Sequence, residues 1–395
     1  MSARRFLIPV FKLNQRKTNK PKNRPADTGR SPIRMTEPST KAFADSSAPV
    51  RKGEELDAAR LGAYLAEQLH EPHARLEIEQ FPQGFSNLTY LVRFGSEDYV
   101  LRRPPFGNTV KSAHDMGREY NVLSKLSKVY ELAPKPIVYC IDEAVLGAPF
   151  YLMERRRGVI LRRKLPKDLK LDPATFRGLG TAFIDNLARL HALDFRAAGL
   201  ADLGKPEGYV ERQVNGWIGR YEKAKTDEWP EMDSVAKWLV DNRPPESGAA
   251  LIHNDYKFDN VVLDSHDLTK IIGVLDWEMC TIGDPLMDLG CTLAYWIQAD
   301  DTEALKYFVP GPTFLPGNLT RQELLERYAQ TSGRDVGQVL FYYCYGLYKL
   351  AVIIQQIYAR FARGFTQDPR FADMNQQVGS LSRSAARAIA IGGVS

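Results

Sequence analysis

The chain has 395 residues, of which 44% are hydrophobic and 26% charged, a size and balance typical of a folded protein with two lobes or domains. No apolar run approaches the roughly 20 residues of a membrane-spanning helix, so we expect no membrane span. The net charge of +5 is unevenly placed, because residues 1–50 hold 11 basic and 3 acidic side chains. Residues 51–395 are therefore slightly acidic, which gives no support for nucleic-acid binding by the folded part.

Residues 1–50 are predicted to be a disordered basic tail, since they are rich in Lys, Arg, Pro, Ser and Thr and lack sustained periodicity. A targeting segment and a start of translation at Met35 are the alternatives for this stretch. The four cysteines form no C-x-x-C pair, so we expect buried free thiols in a reducing compartment, the cytoplasm.

Residues 51–155 have the pattern of a small sheet with inserted helices. A first helix follows Asp57, because Leu61, Leu65 and Leu69 recur on one face. Strands are predicted at 76–81, 89–94, 98–103, 135–141 and 149–154, with a tight turn joining the second and third as a hairpin. Another helix is predicted at 117–126.

Residues 156–395 are predicted to be mostly helical. One helix begins at the N-cap Asp172, followed by Pro173, and keeps helical spacing as far as His191. A capping box at Thr320 and Glu323 opens another. Further helices are predicted at 209–223, 234–240, 288–298 and 339–362.

The strongest chemical signal is the segment 251–263, Leu-Ile-His-Asn-Asp-Tyr-Lys-Phe-Asp-Asn-Val-Val-Leu, a polar loop between two apolar runs. Phosphoryl transfer needs a carboxylate near the attacking hydroxyl and an oxygen ligand for the metal that bridges the phosphates. Asp255 suits the first task and Asn260 the second. A turn is the ordinary explanation of a lone Asp-Asn pair, but the strand that follows this loop argues for a catalytic role.

That following strand, at 271–275, is apolar and ends in Asp276. If it pairs with the run after Asn260 as a hairpin, Asp276 lies beside Asn260. Two oxygen ligands then face one Mg²⁺, a hard ion that prefers oxygen. We therefore predict Asn260 and Asp276 as the metal ligands and Asp255 as the catalytic carboxylate.

This block resembles the aminoglycoside phosphotransferase and choline kinase superfamily, whose members carry an H-x-D-x(4)-N loop followed by a later Asp. The segment 283–289, Gly-Asp-Pro-Leu-Met-Asp-Leu, is similar to a further motif of that superfamily, in which the second Asp, here Asp288, braces the catalytic loop. The closer resemblance, over about residues 55–390, is to the kinase-like domain at the N-terminus of some long eukaryotic acyl-CoA dehydrogenases. It implies an α+β, two-lobed protein-kinase-like fold, with a small antiparallel-sheet N-lobe at 51–155 and a mostly helical C-lobe at 156–395.

The resemblance also implies an ATP site in the N-lobe. Met153 and Glu154 are expected at the hinge, where backbone groups meet the adenine. The phosphate-covering loop is expected at Gly84, Phe85, Ser86 and Asn87. A simple hairpin turn is the alternative for this loop, since it contains a single glycine.

Arg102 occupies the position at which kinases carry a lysine that contacts the α- and β-phosphates, and Glu119 is its expected carboxylate partner. An arginine keeps the charge and can bind phosphate through two N–H groups, but it is bulkier than lysine. His253 is expected to brace the catalytic loop by hydrogen bonds rather than to transfer a proton. The resemblance thus implies an enzyme that uses ATP and Mg²⁺.

The acceptor is expected to be a small molecule with a hydroxyl group, and the resemblance includes hydroxyacyl groups and their CoA thioesters among the possibilities. Aromatic and polar residues of the C-lobe are the candidates for its binding face, with burial in the core as the alternative: Tyr209, Arg212, Gln213, Trp217, Trp277, Tyr295 and Trp296. The basic run 155–157, with Arg162, Arg163 and Lys164, either lines the mouth of the cleft or is a solvated loop. Because Arg102 replaces a lysine, a nucleotide-binding regulator with little or no transfer activity is the alternative function. A flavin-dependent dehydrogenase has no support in the sequence.

Overall fold

The computed structural model describes residues 47–81, 87–106, 115–162, 165, 169, 171–308 and 311–394, all within the compact unit Thr40–Ser395. The predicted basic tail therefore lies almost wholly outside the described residues. Three residues of the predicted phosphate-covering loop, Gly84, Phe85 and Ser86, also lie outside them.

Five antiparallel strands form the N-lobe sheet in the spatial order β1-β2-β3-β5-β4. The strands are β1 (Leu76–Gln80), β2 (Leu88–Phe94), β3 (Glu97–Arg103), β4 (Pro136–Cys140) and β5 (Phe150–Glu154). The predicted hairpin of β2 and β3 is confirmed, with Phe94 opposite Glu97. All five predicted strands are found, and their boundaries differ from the prediction by at most one residue.

The two faces of this sheet pack against different partners. Helix α1 (Ala58–Gln68) covers one face, because its buried Leu61 and Leu65 join the side chains of Tyr90 and Leu101 in a small core. Helix α2 (Met116–Leu126) packs on the other side, and its Leu123 belongs to the large core that continues into the C-lobe. A short helix, α3 (Glu143–Leu146), separates β4 from β5.

The C-lobe is built from eight described helices and two short antiparallel pairs of strands. The helices are α4 (Pro173–His191), α5 (Tyr209–Ala224), α6 (Pro230–Asp241), α7 (Pro285–Tyr295), α8 (Glu303–Phe308), α9 (Arg321–Ser332), α10 (Val339–Ala362) and α11 (Met374–Ile391). Strand β6 (Ala250–Ile252) pairs with β9 (Thr281–Gly283), and β7 (Val261–Leu263) pairs with β8 (Ile271–Val274). The α+β, two-lobed architecture predicted from the sequence is confirmed.

Helix α10 lies at the centre of the C-lobe, packed against α7 and α11. Its close approach to α7 depends on two glycines, because a Cβ on Gly290 would lie 2.1 Å from the carbonyl oxygen of Tyr342. A Cβ on Gly346 would lie 2.3 Å from the carbonyl oxygen of Gly290. Two backbones therefore meet without intervening side chains, and this contact fixes α7 and the loops attached to it.

The four cysteines are free and buried, as predicted. In the described part of the chain, no helix combines the length and the apolar character that a membrane crossing requires.

Candidate active site

The predicted catalytic loop, residues 253–260, connects β6 to β7 and ends in a short 3-10 turn at Phe258–Asn260. The His253 side chain is fully buried and donates from Nε2 to the carbonyl oxygen of Leu275 at 2.9 Å. Its Nδ1 faces the backbone N–H of Asp255 at 3.3 Å. His253 therefore links the catalytic loop to the strand that leads to Asp276, an arrangement compatible with the bracing role predicted for it.

Asp255 faces the cleft with its carboxylate held by two neighbours. The Lys257 ammonium donates to Oδ1 at 2.9 Å and to Oδ2 at 2.8 Å, and Asn260 Nδ2 donates to Oδ2 at 2.9 Å. Burial alone would raise the pKa of Asp255, but the charge and hydrogen bonds of Lys257 outweigh it and hold that pKa below its ordinary value. Asp255 is thus an ionised carboxylate at neutral pH.

Asn260 and Asp276 are brought together by the β7–β8 pair, as the predicted hairpin requires. Val261 lies opposite Val274, and the N–H of Leu275 donates to the carbonyl oxygen of Asn260 at 2.8 Å. Because Asn260 Nδ2 donates to Asp255, its Oδ1 is left for another ligand. Both side chains line the same cleft. Their oxygens are the donor type that Mg²⁺ prefers, so these residues fit the ion.

Arg102 is buried at the meeting point of the two lobes, where three carboxylates surround it. Its guanidinium contacts Glu119 at 2.5 Å, Asp276 at 3.1 Å and Glu278 at 3.4 Å. Glu119 also accepts from the backbone N–H of Trp277 at 3.2 Å. The predicted pairing of Arg102 with Glu119 is therefore present, and it extends to the predicted metal ligand Asp276.

A cleft of about 410 Å³ lies between the lobes and collects these groups. Met153 and Glu154 at the end of β5 form part of its wall, together with the apolar side chains of Val100 and Leu275. Asn87, the described residue of the predicted phosphate-covering loop, donates from Nδ2 to Glu278 at 2.7 Å. The nucleotide-binding and catalytic residues predicted from the sequence, so far as they are described, thus share one cavity, with two exceptions. Glu119 lies behind Arg102, and His253 is fully buried beneath the loop.

The carboxylate of Asp288, at the start of α7, supports the catalytic loop from behind. It accepts from the backbone N–H of His253 at 2.7 Å and from that of Asn254 at 2.8 Å. His191 Nε2 lies 3.2 Å from the same carboxylate. Burial would raise the pKa of Asp288, but the hydrogen bond and charge of His191 hold it below its ordinary value.

Several residues of this candidate site were not singled out from the sequence. Lys257 and Glu278 each follow a predicted site residue by two positions, a spacing that places them on the same loop. Lys349 lies on α10 far along the chain, and its ammonium donates to the carbonyl oxygen of Asn254 at 2.9 Å. Sequence spacing gives no signal for Lys349, because its position depends on helix packing.

The candidates for the acceptor face divide into three groups. Trp277 and Trp296 are core residues, because each is almost fully buried and its indole N–H donates to a backbone carbonyl. Tyr295 lines the main cleft. The remaining candidates line a second cavity beside the catalytic loop: Tyr209, Arg212, Gln213 and Trp217.

The basic run after β5 lies along the main cleft, where Arg162 also lines the wall. Its three arginines are held in ion pairs, Arg155 and Arg157 with Asp98 and Arg156 with Glu154. These contacts tie the hinge segment to the N-lobe sheet.

Residues 77–325 match the model of the phosphotransferase enzyme family known as APH. The chain is 32% identical over 339 residues to acyl-CoA dehydrogenase family member 11 of Gallus gallus, an alignment that covers 82% of this chain and 42% of that protein. The chain therefore spans about two-fifths of the length of this relative.

Solved structures of other proteins share the two-lobed fold of this chain. A structure from Ralstonia eutropha JMP134, described as an aminoglycoside phosphotransferase, superposes with a TM-score of 0.70 at 27% identity, covering 84% of this chain and 99% of the other. Aminoglycoside phosphotransferase APH(4)-Ia, in a ternary complex with AMP-PNP and hygromycin B, superposes with a TM-score of 0.54 at 14% identity, covering 82% and 99%.

The catalytic loop, the two-lobed fold and the family match agree, and the chain belongs to the APH phosphotransferase family. The resemblance identified from the sequence, including its link to the acyl-CoA dehydrogenase relatives, is confirmed.

Proposed function

We propose that the protein is a kinase that transfers the γ-phosphoryl group of ATP to a hydroxyl group of a small molecule. The observation that carries the proposal is the convergence of Asp255, Asn260, Asp276 and Arg102 on one cleft between the lobes. An ionised carboxylate, two oxygen ligands and a buried cation are the parts that phosphoryl transfer requires. The ATP analogue bound to APH(4)-Ia, a protein of the same fold, supports ATP as the donor.

Each residue has a distinct role in this proposal. Asp255 orients the acceptor hydroxyl and receives its proton as the acceptor oxygen bonds to the γ-phosphorus and the bond to the β–γ bridging oxygen breaks. ADP leaves with the electron pair of that bond, and the proton passes to solvent. Asn260 and Asp276 would hold Mg²⁺, which when bound neutralises charge on the phosphates. Arg102, paired with Glu119, steadies the α- and β-phosphates, and Lys257 supplies positive charge to the transferred group.

A hydroxyacyl group, as its CoA thioester, is the acceptor that we favour. The support is the relative of Gallus gallus, whose name specifies acyl-CoA chemistry and which this chain matches over 42% of its length. A flavin-dependent dehydrogenase activity of this chain has no supporting observation. A yellow colour in the purified protein, which would indicate bound flavin, would support that activity.

A nucleotide-binding regulator is the second candidate, and the ion pair of Arg102 with Asp276 is the observation that favours it. In that case MgATP stabilises the protein against heat, yet no acceptor is phosphorylated. An ATP-consumption screen with hydroxyacyl-CoAs and hydroxylated metabolites separates the two functions, since any acceptor-dependent ADP release favours the kinase.

The substitution Asp255→Asn tests the kinase proposal directly. We expect kcat to fall by about a thousandfold, because general-base contributions are of this order, while MgATP still binds. The matched control is Asp264→Asn, after β7, whose side chain does not line the cleft. Wild-type turnover by a clean preparation of Asp255→Asn would refute the assignment of the catalytic carboxylate.

A further inference from the structure

A second cavity, of about 400 Å³, lies next to the main cleft. Helix α5 forms much of its wall, and Met279 lines both cavities. Asn254 belongs to its lining, whereas the neighbouring Asp255 lines the main cleft. The second cavity therefore lies one residue of the catalytic loop away from the proposed site of phosphoryl transfer.

The lining of this second cavity is positively charged. Four of its ten lining residues carry a positive charge and none carries a negative one; the four are Lys205, Arg212, Arg220 and Lys349. In the described part of the chain, no carboxylate forms an ion pair with any of the four, although residues 51–395 as a whole are slightly acidic.

Lys349 is the most unusual member of the group, because its side chain is only 4% exposed. Its ammonium donates to the carbonyl oxygen of Asn254 at 2.9 Å and lies 3.6 Å from Cys291 Sγ. No carboxylate pairs directly with Lys349, although its charge helps to lower the pKa of the nearby Asp255. Removing an ammonium group from water is costly, and an anion bound in the cavity would offset part of that cost.

Two of the other three cations are held by neighbouring groups. The Arg212 guanidinium donates to the carbonyl oxygens of Glu207 and Lys205, which fixes its position at the start of α5. The Arg220 guanidinium stacks over the Trp217 ring at 4.3 Å. A preorganised set of guanidinium and ammonium groups suits phosphate oxygens, since arginine can donate two parallel hydrogen bonds to them.

We propose that this cavity binds the phosphate-bearing end of an anionic acceptor, whose hydroxyl-bearing arm extends past Met279 to Asp255. This inference rests on the proposed kinase function, because it assigns a second site to the same acceptor. Four cations match a polyanion such as a diphosphate better than a single carboxylate. The same charges repel a polycationic acceptor such as an aminoglycoside, so the cavity selects against that class.

The test compares two acceptors that share one hydroxyacyl group, its CoA thioester and its pantetheine thioester, which lacks the phosphates. In Arg220→Gln we expect the KM for the CoA thioester to rise about tenfold, the usual consequence of losing one charge-assisted phosphate contact. The KM for the pantetheine thioester and the KM for ATP stay unchanged. The matched control is Lys223→Gln on the same helix, an exposed residue outside the cavity lining.

An equal rise in KM for both thioesters in Arg220→Gln would overturn the proposal, because recognition of the phosphates would then have no part in the effect. Unchanged KM values for both would overturn it equally. In either case the kinase function stands, since phosphorylation of the thioesters has been measured.

A binding measurement separates the cavity from the kinase function. Inorganic pyrophosphate is titrated calorimetrically into the protein already saturated with Mg²⁺ and AMP-PNP, so that the nucleotide cleft is filled. We expect binding that persists beside the nucleotide and weakens about tenfold in Arg220→Gln. Pyrophosphate binding without turnover on any acceptor would support the cavity and refute the kinase. Pyrophosphate that binds only when the nucleotide is absent would refute the cavity.

Discussion

At the scale of single residues, Arg102 distinguishes this site from one with the usual kinase lysine. One guanidinium contacts Glu119, Asp276 and Glu278 at the same time, which a single ammonium cannot reproduce in the same plane. The arginine thereby joins the N-lobe helix α2 to the loop that carries the proposed metal ligand. It also keeps a fixed positive charge in the cleft, because arginine does not lose its proton in proteins.

We predict that Arg102→Lys lowers kcat/KM for ATP by about tenfold, because the shorter ammonium keeps one carboxylate contact and loses the others. Steady-state kinetics with varied ATP measures this effect. Arg103→Lys is the control, since Arg103 donates to the carbonyl oxygens of Pro104 and Leu146 and does not line the cleft. Full or increased activity of Arg102→Lys would show that the simultaneous contacts of the Arg102 guanidinium are not needed for activity.

Residue spacing alone predicted the site residues whose neighbours are close along the chain, whereas the N-lobe residues of the site were predicted from the family resemblance. Asp255 and Asn260 lie on one loop, and a short hairpin is enough to bring Asp276 beside them. Arg220 and Lys349 line the same cavity only because α5 and α10 pack together. The sequence pattern of neither helix indicates that the other helix packs against it. Charge on a helix surface is ordinarily solvated, so its meaning depends on tertiary packing.

At the scale of elements, the catalytic loop owes its shape to the start of α7. Asn254 has a positive φ of 66°, which is unfavourable for a residue with a side chain. The Asp288 carboxylate accepts from the backbone N–H of both His253 and Asn254, and so holds the loop in this conformation. The motif at 283–289 therefore stabilises the backbone conformation of Asn254, the residue that precedes Asp255.

We predict that Asp288→Asn lowers the free energy of unfolding by about 3 kcal/mol at pH 7, because a buried charge-assisted network is broken. The folded-state pKa of Asp288 lies below its ordinary value of about 4, so its stabilisation is complete above that pH and is lost as pH falls through the folded pKa. Urea unfolding at pH 7 and near pH 3 measures the difference between variant and wild type. A difference that stays constant between these pH values would contradict the assignment.

The crossing of α7 and α10 gives a second prediction for an element. Gly346→Ala is expected to lower the free energy of unfolding by about 3 kcal/mol, because its Cβ would meet the backbone of α7. Gly219→Ala in α5 is the control, since nothing lies within 4 Å of a Cβ there. That substitution should be stabilising by about 0.5–1 kcal/mol through helix propensity. Equal effects of the two substitutions on urea unfolding would show that the crossing is not tight.

Element boundaries were predictable where local chemistry sets them. Asp57, Asp172 and Thr320 cap their helices through side-chain hydrogen bonds, and each was readable from the sequence. The helix predicted at 288–298 instead spans Pro285–Tyr295, because Asp284 caps it and proline occupies its first turn. Helix α11, which packs on α10, was not predicted, although its buried apolar residues recur at helical spacing.

At the scale of the whole molecule, the two lobes meet at the segment that carries the proposed metal ligand. Arg118 of α2 donates to the carbonyl oxygens of Glu278 and Cys280 at 2.7 Å and 2.5 Å. Asn87 and Arg102 add side-chain contacts to Glu278 from the sheet. The N-lobe therefore contacts this segment through these three side chains and through Glu119, which accepts from the backbone N–H of Trp277. Ligand binding in the cleft is expected to affect both lobes.

We predict that MgATP at a hundred times its Kd stabilises the protein by about 2.7 kcal/mol, as mass action requires for a ligand that binds the folded state alone. Because both lobes line the cleft, one unfolding transition should move to higher temperature as a whole. In Asp276→Asn, ATP in the presence of EDTA should still stabilise, whereas the increment added by Mg²⁺ should be lost. Asp241→Asn is the control, an exposed carboxylate outside the cleft lining. Differential scanning calorimetry shows whether the protein unfolds in one transition or in two. Two separate transitions, of which only one moves with MgATP, would show that the lobes unfold independently. That result would refute the coupling argued from Arg118, Asn87 and Arg102.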